Sequence, residues 1–506
     1  MSETDLINAD TFKTRQYDVI IVGASLAGVI SAALMTKRGY KVALVEQLDY
    51  VGGRVGGTKF KGYWFNWGHR DGHGYGDGGW IFHKGGIAAR EVGIEQEFVW
   101  RPLGQFRSHG LPEGHVREMR QADAFGEITD DGLAHYRNLV QFFHKDASDE
   151  VAAGVKEVMD KITAIPAEQA WGMIEQTMGE WLQRNVALPE VRFVILQMLE
   201  NMCASPGELA SVGRFVLHSQ GALNYTSAPS GIPDDPEVGG MQGVVMPWVR
   251  AFQRMGGDLW LGWKPMEITI DHRHVTGVIA TNISNLVQVF EAPVVITDYE
   301  CWNLKELVDE NLLPRDYMTM AEKASRYRTA VISWWAGLKR MPRRRSDGQV
   351  EIMGKQRLVH GMGKVKNYHG IYDFPSAYSR HQSPPGKHTM HVTLPAHGEY
   401  IWRNFSAAKH DIQVSLDYLR NQVYLDLDDC IEWSGYQYVP DQLMHYLKPV
   451  KLPPPKVASL DGLYVASPTV EGTGAWIDRE ADAALNACNL AVEEFGPYLA
   501  QRKVKR

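Results

Sequence analysis

Apolar residues near the N-terminus are arranged as a strand, a helix and a second strand. Residues 18–22 form a short run rich in branched apolar residues, and it stops at Gly23, which is typical of a buried parallel strand entering a tight turn. Leu26 to Lys37 has helical composition and spacing, and Gly39 ends this helix. Residues 41–45 are again apolar. The pattern therefore predicts a complete βαβ unit of about thirty residues.

The remainder of the chain alternates between helical and strand-like blocks. Residues 130–223 carry amphipathic helical patterns, and a Pro-rich loop at residues 227–240 follows them. Residues 314–450 form a mixed block with strand-like runs, and KLPPPK at residues 451–456 is a stiff linker. The last block, residues 462–495, pairs a strand with a Gly-containing turn and a helix. These alternating elements predict an α/β fold.

Charge and cysteine content exclude several classes of protein. The 506 residues include 53 Lys and Arg against 60 Asp and Glu, a net charge of −7, so the chain lacks the basic surface that nucleic acid requires. The four cysteines have no metal-finger spacing, which argues against both a disulfide framework and a structural zinc site. A reducing cytoplasm is therefore the expected location.

Two segments bear on export and on membranes. Residues 1–16 are polar and predict a disordered leader rather than an export signal. No apolar run approaches the ~18 residues that span a bilayer. A basic cluster leaves peripheral membrane contact open beside the ordinary interpretation of a solvated loop. It consists of Lys339, Arg340, Arg343, Arg344 and Arg345.

A glycine-rich turn, Gly23-Ala-Ser25-Leu-Ala-Gly28, follows the first strand. Gly23 allows the tight turn, the small residue Ser25 lets a pyrophosphate approach the backbone, and Gly28 lets the helix pack closely on the strand. The start of the helix offers N–H groups and a positive dipole end to phosphates. At the end of the second strand, the carboxylate of Glu46 can accept hydrogen bonds from both hydroxyls of an adenosine ribose. Together these features predict dinucleotide binding.

Three separated blocks of the chain, in the same order, resemble one protein family. They are residues 17–68, in which Gly52-Gly53-Arg54 follows Glu46, residues 239–281 and residues 462–487. The blocks resemble the FAD-dependent amine oxidase and phytoene desaturase superfamily. The resemblance implies FAD as the cofactor.

The resemblance also implies a fold and a division into domains. It implies an α/β protein in which a Rossmann-like FAD-binding domain carries an inserted substrate domain of mixed sheet and helices. The implied FAD-binding domain comprises residues 17–70, 238–310 and 457–506, after the leader at residues 1–16. The implied substrate domain comprises residues 71–237 and 311–456.

Particular cofactor contacts follow from the same resemblance. Gly53 and Arg54 belong to the cofactor-binding set, and backbone groups near Met266 hold the adenine. Residues 62–68 lead towards the isoalloxazine ring. The helix after Gly474 aims its N-terminus at the pyrimidine edge of the flavin, where reduced flavin carries negative charge. Trp476 and Ile477 are the candidates for contact with that edge.

The closing strand departs from the family at Ser467-Pro468, where members usually have Gly-Asp. In the family the backbone and carboxylate of that pair contact the pyrophosphate and ribitol, and proline has no N–H to donate. Two consequences stay open at this point. Either Thr469 or Glu471 substitutes for the lost contacts, or FAD is bound more weakly than in typical members.

A polar segment directly after residue 68 supplies the candidate reacting groups. His69, Arg70 and Asp71 form a predicted acid–base set, because a histidine of near-neutral pKa beside a carboxylate suits proton transfer. A glycine-rich loop whose side chains bond its own backbone is the equally weighted alternative. His69, Asp71 and His73 could ligate a metal, but their spacing matches no metal signature. For His83 and Lys84 a structural role is expected.

The resemblance implies hydride removal from carbon by FAD, and its likeness to the carotenoid desaturase branch favours dehydrogenation of a carbon–carbon bond in an apolar or cyclic small molecule. No second glycine-loop unit for a nicotinamide is evident, so the substrate is expected to reduce the flavin directly. Three alternatives remain open. They are an FAD-dependent amine oxidase, a flavin-dependent hydratase or isomerase without net redox change, and a lipid-escort protein that has lost FAD on the same fold.

Overall fold

The computed structural model describes residues 14–67, 80–81, 83–102, 105–111, 115–120, 133–143, 148–203, 207–222, 231–352, 355–360, 368–377, 379, 381–397, 405–442, 448–474 and 476–504. Its strands are β1 (Arg15–Gln16), β2 (Val19–Val22), β3 (Val42–Val45), β4 (Gly57–Phe60), β5 (Tyr63–Asn66), β6 (Trp100–Pro102), β7 (Gln105–Leu111), β8 (His115–Arg120), β9 (Gly231–Pro233), β10 (Asp258–Trp260), β11 (Trp263–Asp271), β12 (His274–Asn282), β13 (Val287–Glu291), β14 (Val294–Thr297), β15 (Thr329–Leu338), β16 (Lys355–His360), β17 (Tyr368–Asp373), β18 (His388–His397), β19 (Ile431–Gln442) and β20 (Leu463–Val465). Its α-helices are α1 (Leu26–Lys37), α2 (Lys84–Val92), α3 (Ala134–Phe143), α4 (Asp149–Thr163), α5 (Ala167–Gly172), α6 (Met178–Asn185), α7 (Pro189–Cys203), α8 (Val212–Ala222), α9 (Gln242–Arg254), α10 (Arg315–Ser325), α11 (Phe405–Tyr418), α12 (Leu427–Cys430) and α13 (Trp476–Val504).

The predicted βαβ unit is present, and its helix has the predicted bounds. β2 and β3 pair in parallel, and every residue of both strands is buried, as expected for a strand covered on both faces. All residues of α1 from Leu26 to Thr36 are also buried. The helix packs against α9 on one side and α13 on the other. The helix that follows the glycine-rich turn is thereby covered by its neighbours.

Strands from distant parts of the chain complete a five-stranded parallel sheet in the order β10-β3-β2-β14-β20. β14 lies between β2 and β20, with Val295 opposite Ile20 on one side and Leu463 on the other. The carboxyl ends of these strands, and the loops that follow them, therefore meet around the turn after β2. Residues 23–28, 298–300 and 467–469 are brought together in this way.

Two further large sheets accompany the parallel one. A four-stranded sheet has the order β1-β13-β12-β11, and its apolar side shares a core with the parallel sheet. A seven-stranded sheet has the order β19-β15-β18-β17-β16-β7-β8, and α11 packs on one of its faces. Helices α3 to α8 pack around a separate apolar core. The predicted α/β class is confirmed, whereas the division into two domains stays a prediction.

Four arginines of the basic cluster form ion pairs or hydrogen bonds with other parts of the chain. Arg340 and Arg343 both contact Asp426, at 2.8 and 2.9 Å, and Arg344 lies 2.6 Å from Asp347. Arg345 donates to the backbone carbonyls of Arg420 and Tyr424.

Cys301, Cys430 and Cys488 are buried free thiols, as expected for small apolar side chains. In the described part of the chain, no helix is both long and apolar enough to cross a membrane.

Candidate cofactor and substrate site

The glycine-rich turn requires glycine at two positions for different reasons. Gly23 has a φ of +97°, a conformation that side-chain-bearing residues rarely adopt. A Cβ atom added at Gly28 would lie 2.1 Å from the carbonyl oxygen of Gly23. The close approach of α1 to β2 therefore depends on Gly28, which is the role that the sequence pattern predicts.

Ser25 begins α1, and the segment containing Gly52 and Gly53 lies against it. Ser25 is the N-cap residue, and its hydroxyl accepts from the backbone N–H of Gly28 at 3.4 Å. The N–H of Gly52 donates to the carbonyl of Ala24 at 2.7 Å. A Cβ atom on Gly53 would lie 3.4 Å from that of Ser25. The glycine pair thus packs on the turn, with Arg54 following it directly.

Glu46 ends β3 beside the same turn and is 7% exposed. Its carboxylate accepts from the backbone N–H groups of Ala24 at 2.6 Å and Leu48 at 2.8 Å. Burial raises the pKa of Glu46, and these backbone donors oppose that rise. An ionised carboxylate has about four acceptor sites, so capacity remains for ribose hydroxyls.

Asp298 is a site residue that the sequence analysis did not identify. It is the first residue after β14, and its Oδ2 accepts from the backbone N–H of Ser25 at 2.7 Å. A Cβ atom at Gly23 would lie 1.7 Å from Asp298 Oδ1, so the carboxyl group covers the turn closely. Burial and the nearby Glu46 raise the pKa of Asp298 to about 7, against an ordinary value of 3.8. The carboxyl group stands at the end of α1 that is expected to bind phosphate.

Arg54, which is partly exposed, and the departure at Ser467-Pro468 belong to one hydrogen-bonded network. Arg54 forms an ion pair with Glu300, whose other oxygen accepts from the Ser467 hydroxyl at 3.2 Å. Ser467 also hydrogen-bonds Thr469 at 2.9 Å, and the Thr469 hydroxyl accepts from the backbone N–H of Cys301 at 2.9 Å. Ser467 and Thr469 are fully buried. Both hydroxyls therefore serve to fix the loop after β14, and substitution by Thr469 for a cofactor contact stays untested.

The N-terminus of α13 contains further buried charge. Burial raises the pKa of Glu480 to about 8, and the nearby Arg54 opposes the rise. Arg479 is 2% exposed and donates to the backbone carbonyls of Pro468 and Val470. Asp482 accepts from the backbone N–H of Thr473 at 2.8 Å. The turn before α13 is thus held by side chains of the helix itself.

The predicted flavin-edge residues occupy different environments. Gly474 has a φ of +83° and Trp476 a φ of +50°. Trp476 packs against the core formed by the α3 to α8 helices, whereas Ile477 is 3% exposed and lies in the core around α1. Their predicted contact with the flavin edge stays a prediction.

Met266 lies in β11 at a break in the pairing with β12. The register shifts between Pro265 and Glu267, which leaves Met266 without a partner residue opposite it. Its side chain is 49% exposed. Recognition of adenine by backbone groups near this bulge stays a prediction.

His69, Arg70 and Asp71, the predicted acid–base set, lie outside the described residues. The expected structural role of His83 and Lys84 agrees with their contacts. The backbone N–H of Lys84 donates to Asp478, and its Nζ lies 3.3 Å from Asp482. His83 Nδ1 lies 3.8 Å from Asp478. The pair therefore ties the start of α2 to the start of α13.

An aromatic group lies where β5 meets the seven-stranded sheet. Phe65 stacks on Trp335 with ring centroids 4.6 Å apart and an interplanar angle of 11°. Trp67 meets the edge of Trp335 at 6.1 Å, and its backbone N–H donates to Gly56 at 3.0 Å. Tyr50 stacks on Trp67 at 5.9 Å. Aromatic side chains thus connect the segment after Arg54 with the sheet of the predicted substrate domain.

The described residues fit the adenosine and pyrophosphate half of FAD. The turn has no Cβ at Gly23 and Gly28, the N-terminus of α1 points into it, and Glu46 stands at the end of the adjacent strand. Asp298, which lies directly on the turn, opposes an anionic group there when it is ionised. Its raised pKa means that the opposing charge is lost in mild acid.

Comparisons with known proteins agree with this geometry. Residues 21–83 match the model of an NAD(P)-binding Rossmann-like domain. A flavin-containing monoamine oxidase A from Dictyostelium discoideum is 27% identical over 234 residues, which are 45% of this chain and 46% of that protein. The chain therefore aligns with about half the length of this curated relative. The resemblance to the FAD-dependent amine oxidase superfamily is confirmed.

Solved structures of related proteins share the fold over nearly the whole chain. An oxidoreductase from Methanosarcina mazei superposes with a TM-score of 0.67 at 15% identity, covering 92% of this chain and 99% of that chain. Cyclohexylamine oxidase from Brevibacterium oxydans superposes with a TM-score of 0.61 at 14% identity, covering 95% and 99%. At such identities the superpositions establish a common architecture, and the Rossmann-like part of the predicted fold is confirmed.

Proposed function

We propose that the protein is an FAD-dependent oxidoreductase that removes hydride from a carbon atom of a small-molecule substrate. The observation that carries the proposal is the convergence of the glycine-rich turn, Glu46 and Arg54 at the carboxyl edge of the parallel sheet. The flavin-containing relative supports FAD as the cofactor. When bound, FAD supplies the hydride acceptor.

The residues of the chain have separable tasks in this proposal. Backbone N–H groups at the start of α1 bind the pyrophosphate, and Glu46 accepts hydrogen bonds from the ribose. Arg54, oriented by Glu300, provides positive charge beside the phosphates. The aromatic group around Phe65 and Trp335 excludes water from the region where the substrate domain meets the cofactor domain.

The first experiment is the visible absorption spectrum of the purified protein, native and after denaturation. A yellow protein that releases about one equivalent of FAD supports the proposal. Anaerobic additions then test the activity, because a hydride-donating substrate bleaches the flavin band. Steady consumption of reductant during turnover would exclude the hydratase or isomerase alternative.

Dehydrogenation of carbon–carbon bonds and oxidation of amines are both candidate reactions of such a protein. The amine oxidases among its relatives favour the second, and the predicted preference for an apolar or cyclic substrate favours the first. Parallel anaerobic additions of primary amines and of cyclic ketones separate the two. Bleaching by amines alone assigns amine oxidation, and bleaching by ketones alone assigns desaturation.

An FAD-free escort protein on the same fold is the second candidate, and Asp298 is the observation that favours it. A carboxyl group at the phosphate-binding end of α1 opposes an anionic cofactor whenever it is ionised. A colourless protein that takes up no added FAD, even at mildly acid pH, would move this candidate to first place.

A further inference from the structure

Three polar side chains form a row across one face of the seven-stranded sheet. Ser333 of β15 lies opposite Gln437 of β19 on one side and Thr393 of β18 on the other. Residues paired in this way project from the same face of a sheet. Ser333 and Thr393 hydrogen-bond each other at 2.8 Å, and all three side chains are buried. Gln437, Ser333 and Thr393 are named the polar row.

The face with the polar row is turned towards the cofactor-binding segment. Trp335 stands two residues after Ser333 on the same face, and it stacks on Phe65 of β5. Trp67, just after β5, contacts both Trp335 and the backbone of Gly56. The opposite face packs into an apolar core with α11, as Ile332 shows. The polar row therefore lies on the sheet face that meets residues 62–67, part of the segment that the resemblance expects to lead to the isoalloxazine ring.

Gln437 is buried there without hydrogen-bonding partners. The residue is 7% exposed, and within the described part of the chain neither its Oε1 nor its Nε2 has a partner. The Nε1 groups of Trp335 and Trp67 are likewise buried without an acceptor. The Trp335 and Trp67 rings are only partly buried. Because an unsatisfied buried amide is costly, native proteins rarely keep one unless a ligand or an ordered water satisfies it.

We propose that the polar row and Trp335 form a wall of the substrate pocket, and that the substrate presents a carbonyl or carboxamide group to Gln437. The proposal rests on the oxidoreductase function proposed above and specifies its substrate class. The carboxamide of Gln437 offers a donor and an acceptor, and the two indoles need acceptor oxygens. The substrate class is therefore a ring compound that carries a polar oxygen substituent, in contrast to a pure hydrocarbon.

The test compares two probes that differ only in such a substituent, benzylamine and para-(aminomethyl)benzamide. Their dissociation constants are measured by calorimetry on the holoprotein. We expect the wild-type protein to bind the carboxamide about tenfold more tightly, the ratio that one additional well-formed hydrogen bond provides. In Gln437→Leu that ratio should fall to about one, with the affinity for benzylamine preserved.

A matched control and a stability measurement keep the test independent of folding defects. Gln413→Leu removes a glutamine that contacts Tyr436 on the other side of β19, and it should leave the ratio unchanged. Gln437→Leu should raise the melting temperature, because it removes an unpaired buried amide. Gln437→Met repeats the test in case the branched side chain fits poorly.

Each outcome decides between the alternatives. Equal binding of the two probes by the wild-type protein would mean that the row holds only water, and it would overturn the proposal. A lowered melting temperature in both Gln437 variants would overturn the claim that the amide is unpaired. Failure of the protein to take up added FAD at pH 6 would refute the oxidoreductase function, whereas the probe ratio measured on that apoprotein would still report on the wall.

Discussion

Replacement of Asp298 by asparagine tests the electrostatics of the cofactor site most directly. The carboxyl group accepts from the Ser25 N–H at 2.7 Å, and the amide oxygen of asparagine can keep that bond. The substitution therefore removes a negative charge with little change of shape. FAD carries an anionic pyrophosphate, so the ionised carboxylate should oppose its binding and the protonated carboxyl group should permit it.

The expected change of FAD affinity with pH follows from the raised pKa of Asp298, which is about 7. If FAD binds only when the carboxyl group is protonated, the dissociation constant of the wild-type protein is roughly doubled at pH 7 and about elevenfold higher at pH 8 than in acid. Between pH 6 and 8 the affinity should therefore fall about tenfold. Asp298→Asn should bind FAD with nearly constant affinity over this range.

Fluorescence titration of FAD into the apoprotein at constant ionic strength measures both dissociation constants. Glu480→Gln is the comparison variant, because it removes a second buried carboxyl group of raised pKa that belongs to α13 and not to the segment that hydrogen-bonds Ser25. An affinity of the wild-type protein that does not change between pH 6 and 8 would refute the reasoning. So would an unchanged pH dependence in Asp298→Asn.

Stability provides an independent readout of the same group. Folding raises the pKa of Asp298 from 3.8 to about 7. The stabilising contribution of this group to the free energy of unfolding is therefore fully present below pH 3.8 and is lost as the pH rises to about 7. Over that window the free energy of unfolding should fall by at most about 1.4 kcal/mol per pH unit on account of this group. In denaturant unfolding at a series of pH values, the free energy of unfolding of the Asp298→Asn apoprotein should fall by a correspondingly smaller amount per pH unit.

Three further substitutions test the remaining parts of the site. Gly28→Ala should destabilise the protein by on the order of 3 kcal/mol in denaturant unfolding, because the added Cβ meets the Gly23 carbonyl. The control is Gly172→Ala, which has open space around the added Cβ and should have a free energy of unfolding within about 1 kcal/mol of wild type. Glu46→Gln should weaken FAD binding by about 2 kcal/mol in a titration, and unchanged affinity would contradict the ribose assignment. Arg54→Met should lower the free energy of unfolding by about 1–2 kcal/mol, because it leaves the Glu300 carboxylate without its cation. The loss stays this small because Arg54 is partly exposed. An unchanged stability would mean that water solvates the Glu300 carboxylate in place of Arg54.

The local parts of the fold could be predicted from the sequence because their signals are local. The apolar runs before and after α1, together with Gly23 and Gly28, specify a βαβ unit whatever surrounds it, and α1 begins and ends where the pattern predicts. Glu46 follows from its place at the end of the second strand. α13 ends at Val504, beyond the predicted end near residue 495, so it continues through Gly496 and Pro497, residues that ordinarily end a helix.

Asp298 and Glu300 could not be predicted because their roles depend on sheet order. Nothing in the sequence after β14 indicates that this strand lies next to β2 and not at an edge. Once β14 is placed there, residue 298 must lie over the turn that follows β2. Gln437 is similar, since only the register of β19 against β15 brings it beside Ser333. Long-range strand pairing, rather than local propensity, positions these three residues.

The charge around the turn explains how an acidic site can accept an anionic cofactor. Asp298, Glu300 and Glu480 lie near the guanidinium of Arg54, Glu46 lies near Asp298, and the second guanidinium, that of Arg479, lies near Glu480. Four ionised carboxylates in this region would repel a pyrophosphate. The raised pKa values of Asp298 and Glu480, about 7 and about 8, mean that both carboxyl groups are largely neutral in mild acid, which leaves Glu300 paired with Arg54 and Glu46 free to bind ribose. Loading with FAD should therefore take up protons at neutral and alkaline pH, and a purification at alkaline pH should yield protein with less bound flavin than one at pH 6.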